Sequence, residues 1–241
     1  MRATSLSFPT CLILAATAGS AQAANKAKDE AYMRKVTHDY AMCVVRKNHA
    51  KASEAVLSAS DNGEVMSHFQ QLISADCLHD AAGYGVDAKF PTGSLQGALA
   101  DALVQADFST HGEATFANRL PLAQPVSVTE EKKAEAMAKA KPGKPRDAVE
   151  TAISREQAFA WMARFGECVA RENPEGARFW LLTPPDTPEE TSRIKALQPA
   201  FGACLGSGTV KFNRFTVRNT VAINYYRLAM ATVVSGAGSN Q

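Results

Sequence analysis

The sequence predicts an all-α fold built from two homologous helical modules of about four helices each. One disulfide would close each module, and a Pro/Lys/Ala-rich linker would join them. Three observations predict this. Apolar residues recur at helical spacing in long stretches free of Gly and Pro. Two distant stretches echo one another, Cys43 to Leu78 and Cys168 to Leu205. Each begins on a cysteine and closes on Cys-Leu, so the cysteine spacing nearly repeats with the echo.

The N-terminus reads as an export signal, residues 1–23. Arg2 precedes the apolar run Cys11-Leu12-Ile13-Leu14-Ala15-Ala16, and Ala21-Gln22-Ala23 forms an Ala-x-Ala cleavage site. The apolar core is far shorter than the ~20 residues of a membrane-spanning helix. Cleavage after Ala23 is expected, with no transmembrane helix in the mature chain and a periplasmic or secreted location. Cys11 precedes the apolar run, whereas a lipidated cysteine would follow it, so a lipoprotein is disfavoured.

The mature chain then holds four cysteines, Cys43, Cys77, Cys168 and Cys204, and an even number in an oxidising compartment reads as disulfides. Four cysteines allow three pairings. The echo favours Cys43 with Cys77 and Cys168 with Cys204, since each copy is then self-contained. Charge is nearly balanced after cleavage, 25 Lys and Arg against 24 Asp and Glu. Together with export, this disfavours nucleic acid as a partner.

In the first module, residues 24–120, the run 24–47 reads as a helix rich in Ala, Lys, Glu and Met. Val36, Tyr40, Cys43 and Val44 share one face, and Trp161, Phe165, Cys168 and Val169 repeat that spacing. Asn48 and Asn173 mark the next turn, with Pro174 fitted to a first helical position. Short helices then carry Val56-Leu57 and Leu181-Leu182. Thr187-Pro188-Glu189-Glu190 is a capping box, and Asp61-Asn62-Gly63-Glu64 is its looser counterpart.

Glycine turns follow the second cysteines, Gly83-Tyr84-Gly85 and Gly206-Ser207-Gly208. A last helix then repeats at an offset of 122 residues: Phe90, Leu95, Gln96, Leu99 and Ala100 match Phe212, Val217, Arg218, Val221 and Ala222. Residues 108–119 are ambiguous, compatible with a short extra helix. Residues 121–151, with four prolines around a Lys/Glu/Ala run, read as a flexible linker or solvated helix. The second module is 152–234, and 235–241 reads as a disordered tail.

Catalytic signatures are scarce. There is no Cys-x-x-Cys, no Gly-x-Ser-x-Gly elbow and no phosphate-binding loop. His111-Gly112-Glu113 lacks the Pro-Cys-x-x-Cys that a zinc deaminase needs. All five histidines lie in the first half, and the second copy has Ala163, Pro174, Lys195 and Gly206 where the first has His38, His49, His68 and His79. The module therefore does not require them. His68, Asp76 and His79 are the candidates for a metal or enzyme site in copy one. No cofactor is implied. From Lys211 to Arg227 the chain has four basic and four aromatic residues and no acidic one. Lys211, Arg214, Arg218 and Arg227 are thus candidates for binding an anionic envelope polymer or membrane surface, against a core-packing helix with basic ends.

Cys-Val-x-Arg-x-[Asn/Asp]-Pro, an apolar pair, a Pro-rich turn and Cys-Leu together resemble exported proteins of Gram-negative bacteria that have no assigned activity. The resemblance covers both copies but not the linker, and copy one lacks the proline. It implies a duplicated, disulfide-bearing helical module and carries no catalytic residue with it. The expected function is a non-enzymatic binding or structural protein of the cell envelope. The alternative is an envelope metal-binding protein or enzyme using His68, Asp76 and His79.

Overall fold

A computed structural model describes residues 18–82, 95–112, 115–139, 146–205 and 213–231, with side chains described from Glu30 on in the first helix. The described residues form ten α-helices and a single 3-10 turn, with no strand. The all-α expectation holds. The first half contains α1 (Ala18–Ser58), α2 (Asn62–His68), α3 (Ala75–Ala82) and α4 (Leu95–Asp107). The second contains α6 (Arg146–Glu172), α7 (Pro174–Leu181), α8 (Pro188–Ala196), α9 (Gln198–Leu205) and α10 (Arg214–Met230). The short α5 (Glu130–Ala138) lies between them.

The break expected at Asn48 is present as a kink. Asn48 leaves helical geometry at φ −140°, ψ 48°, but the helix resumes and runs on to Ser58. Asn173 does the same work with a clean break, its side chain accepting from the Gly176 amide while Pro174 starts α7. At Asn173 the side chain offers the backbone a local alternative to the helical hydrogen bond. The capping box also forms: Thr187 accepts from the Glu190 amide, and Glu190 reaches back to the Asp186 amide. Asp61 and Glu64 repeat the arrangement, with Glu64 accepting from Ser60.

Each half is closed by its own disulfide. Cys43 of α1 bonds Cys77 of α3, and Cys168 of α6 bonds Cys204 of α9, with Cα atoms 5.5 and 5.7 Å apart. Both distances are ordinary for the bond. Cys43 and Cys77 are buried, as the apolar spacing of α1 requires.

The halves meet along α4 and α10. α4 packs on α1, α10 packs on α6, and the two inner helices pack on each other. One apolar core runs through both halves, from Tyr40 and Val44 through Leu99 and Val221 to Val169 and Trp180. At the seam, Gly97 of α4 faces Asn219 of α10, where a Cβ on Gly97 would stand 2.3 Å from that of Asn219. The absence of a side chain at 97 is what lets the helices come this close.

The stretch read as a linker is tied to the second half. The Leu122 amide and Gln124 side chain donate to Glu167 at 3.0 and 2.7 Å, and Arg164 donates to Ser127. Arg171 donates to the carbonyls of Phe116, Arg119 and Leu120. α6 begins at Arg146, inside the range 121–151, and no helix forms among the described residues of 108–119. Buried Phe116 and these side-chain bonds to backbone, neither of them periodic in the sequence, fix the course of the segment. The glycine turns, Phe90, Lys211 and Phe212 lie outside the described residues.

Candidate functional site

A cluster of charged side chains sits between the halves, built from four helices. Arg218 of α10 is at its centre and is 3% exposed. Its Nε and Nη2 donate to the two carboxylate oxygens of Asp101 in α4 at 3.1 and 3.0 Å. Its Nη1 donates to Glu190 of α8 at 3.0 Å. Nη2 also reaches the carbonyls of Leu181 and Thr183, both at 2.8 Å, just past the C-terminal end of α7 where carbonyls lack helical partners. All three guanidinium nitrogens are engaged, using the planar fork that Arg alone offers. Burial opposes its charge, but Asp101 and Glu190 outweigh that penalty and hold its pKa above the ordinary arginine value.

Around this centre the fold sets a second pair. Arg34 of α1 grips Asp186 with two bonds, 2.8 and 2.5 Å. Asp186 has φ 61°, a left-handed conformation that Asp tolerates better than most residues. Its backbone turns the chain into α8, so the strained residue and the ion pair coincide. The hydrogen bond to Asp186 raises the pKa of Arg34 against the opposing effect of burial. His38 of α1 lies 3.4 Å from Asp101, and Arg214 lies 3.7 Å from Glu190.

Three arginines therefore meet three carboxylates, and each carboxylate is shared between elements of the fold. The cleft these residues line holds about 20 Å3, the room of one water. Asp101 and Glu190 spend their oxygens on Arg218 and the Asp186 amide. Chemically the arrangement is an interlock between halves, with no nucleophile beside a base.

The other end of the same seam holds a second cleft of about 30 Å3. Phe159 and Ala163 line it, 125 residues on from Arg34 and His38. Gln96 and Ile223 line it too, 122 residues from Arg218 and Asp101. Gln96 donates to Ala59 at 2.8 Å, at the end of α1, as Arg218 donates at the end of α7. Where the first cleft has Arg34, His38, Asp101 and Arg218, the second has Phe159, Ala163, Ile223 and Gln96.

The residues singled out in the sequence have varied fates. Arg218 and Arg227 are not presented to any surface partner, which corrects their reading as anion-binding side chains. Arg227 is turned inward to the carbonyls of Val56 and Ala59, at 2.9 and 2.5 Å, and burial lowers its pKa. Arg214 is half-exposed, and Lys211 lies outside the described residues. His68 and Asp76 are exposed, Asp76 near Lys47 at 3.8 Å, and His79 lies 3.9 Å from Asp80. Among the described residues no group of three His, Cys, Asp or Glu is placed to hold a metal ion, so His68, Asp76 and His79 do not converge. His38 meets Asp101 and His49 meets Asp107.

Arg34, Asp101 and Asp186 were not singled out from the sequence, and Glu190 and His38 were read only as a helix cap and as a histidine the module does not require. A signal for one of them existed: Asp101 is a lone acid inside the apolar run Ala-Leu-Ala-Asp-Ala-Leu-Val of α4. Its complement, Arg218, lies in α10 between the buried residues Val217 and Val221, and a buried charge needs a partner of opposite sign. Comparison with family models, with curated proteins and with solved structures finds no match to this chain.

Proposed function

We propose that this chain is an exported, non-enzymatic binding or structural protein of the Gram-negative cell envelope. In this reading residues 1–23 are removed on export, and a duplication produced the two halves. The observation that carries it is the saturation of the charged cluster. A catalytic centre needs a reachable group and space for a substrate, whereas Arg218, Asp101 and Glu190 are buried and bonded to one another around a one-water cleft. Two disulfides fit an oxidising compartment, where they persist. No helix among the described residues is long and apolar enough to cross a membrane. The matching clefts and the Gly97–Asn219 contact, between positions 122 apart, support the duplication.

The test is expression of the full chain in a Gram-negative host, followed by crosslinking in intact cells. A mature N-terminus at Ala24 and specific recovery of one envelope component, unchanged by His68→Ala or His79→Ala, is the expected result. Retention of the N-terminal segment with reduced cysteines in the cytoplasm would refute export. Metal retained through dialysis and lost in those two variants would refute the binding reading in favour of metal chemistry.

A further inference from the structure

The second half contains a space that the interlock does not use. Phe165 of α6, Trp180 of α7, Ile194 of α8, Phe201 of α9 and Val217 of α10 wall a cavity of about 240 Å3. Arg214 is the charged residue among the described residues lining it. The Trp180 and Phe201 rings meet edge to face at 6.0 Å, and Phe165 lies 6.0 Å from Phe201. Trp161 stacks on Phe165 at 5.3 Å. The walls are thus aromatic and fixed by one another.

Two features give the cavity a chemical preference. Arg214 is half-exposed, and its partner among the described residues is Glu190 at 3.7 Å. Glu190 already bonds Arg218 and the Asp186 amide, at 3.0 and 2.8 Å, so it leaves most of the Arg214 fork unused. The rest of the described lining is apolar, with Phe165, Trp180 and Phe201 supplying the rings.

At the matching place in the first half stands Tyr40, whose hydroxyl donates to Leu72 and accepts from the Ser74 amide, at 2.8 and 3.0 Å. Ala55 stands where Trp180 does, 125 residues earlier. The first half thus has a tethered phenol and a small residue where the second has the rings of Phe165 and Trp180.

We propose that this cavity binds a small aromatic carboxylate, its ring among Phe165, Trp180 and Phe201 and its carboxylate on Arg214. The proposal rests on the binding reading given above and names its ligand class. An apolar cavity of about 150 Å3 suffices for benzene, so this one admits a ring with a short side chain. Aromatic walls favour a ring at edge-to-face or offset geometry. A guanidinium pairs best with a planar, two-oxygen anion.

Titration of the full mature protein with 3-phenylpropionate and with its amide tests this, by calorimetry and by fluorescence of Trp161 and Trp180. The acid is expected to bind and to shift the emission, with the amide at least about fivefold weaker, a modest factor because Arg214 is half-exposed. Arg214→Gln should bring the acid down to the amide's affinity, and Val217→Phe should fill the cavity and abolish both. Failure of the acid to bind at millimolar concentration would overturn the proposal. So would equal binding of acid and amide, or binding that persists in a folded Val217→Phe protein. Arg214→Gln sits at the rim and keeps the test decisive if the filling variant does not fold. If the acid fails while crosslinking still recovers an envelope component, the cavity proposal falls and the binding reading stands.

Discussion

Arg218 and Asp101, 117 residues apart in the chain, meet fork to fork at 3.1 and 3.0 Å in the interior between the two halves. Breaking such a pair leaves a buried charge unpaired, typically at 3–5 kcal/mol, although a pair replaced whole by apolar groups costs far less. Arg218→Gln is therefore expected to destabilise by about 3–5 kcal/mol in urea denaturation. Asp101→Ile with Arg218→Gln should recover only part of that loss, because buried Glu190 also loses Arg218 as its partner. Additive losses in this double-mutant cycle would show that the two side chains do not act as a pair.

The seam itself is equally specific. Gly97→Ala places a methyl 2.3 Å from the Asn219 Cβ and 2.9 Å from its Cα, so backbone as well as side chain must move. Overpacking of this kind costs about 1–3 kcal/mol. Gly202 in α9 has nothing within 4 Å of the equivalent point. Gly202→Ala is expected to be neutral or to stabilise by up to about 1 kcal/mol through helix propensity alone. Thermal unfolding of the two variants side by side checks the contrast.

The helices, their caps and the disulfide pairing were legible because each rests on local rules: periodicity, capping residues and the spacing of cysteines within one copy. Asn48, Asn173 and Thr187 do in space what their types suggest. The interlock was not legible as a site, because its members come from α1, α4, α8 and α10 and no spacing rule joins them. The sequence leaves Arg218 open between an anion-binding cation and a core-packing helix for the same reason: its neighbours in sequence are basic and aromatic, while its neighbours in space are Asp101 and Glu190. The comparison of copies held part of the answer. Arg218 stands against Gln96, and Asp101 against Ile223, so each member of the charge pair faces an uncharged residue at an offset of 122.

The disulfides close loops of similar length, with separations of 34 and 36 residues. Loop entropy then assigns them similar contributions, about 3–4 kcal/mol each. Cys43→Ala with Cys77→Ala, and Cys168→Ala with Cys204→Ala, are each expected to lower Tm by roughly 5–15 °C for a chain of this size. Because one core runs through both halves, either loss should appear as a single cooperative transition at lower temperature. Two separated transitions in calorimetry would mean that the halves unfold independently.

Tyr226 supplies a pH dependence with a definite sign. Its hydroxyl lies 3.0 Å from Asp107 Oδ2 and 2.9 Å from Ser53 Oγ, and the residue is buried. Burial, reinforced by the Asp107 carboxylate and partly offset by Ser53, pushes the phenol from 10.0 up to about 12. The unfolded chain therefore releases this proton first, and between pH 10 and 12 the folded state holds more protons than the unfolded one. Stability from this group is complete below pH 10 and falls as pH rises toward 12, by up to about 2–3 kcal/mol. Tyr226→Phe removes the titration. In urea denaturation the gap between the native protein and the variant should be constant from pH 7 to 9.5 and narrow progressively at pH 10.5 and 11. A gap that stays constant to pH 11 would mean that the phenol ionises in the folded protein as readily as in the unfolded chain.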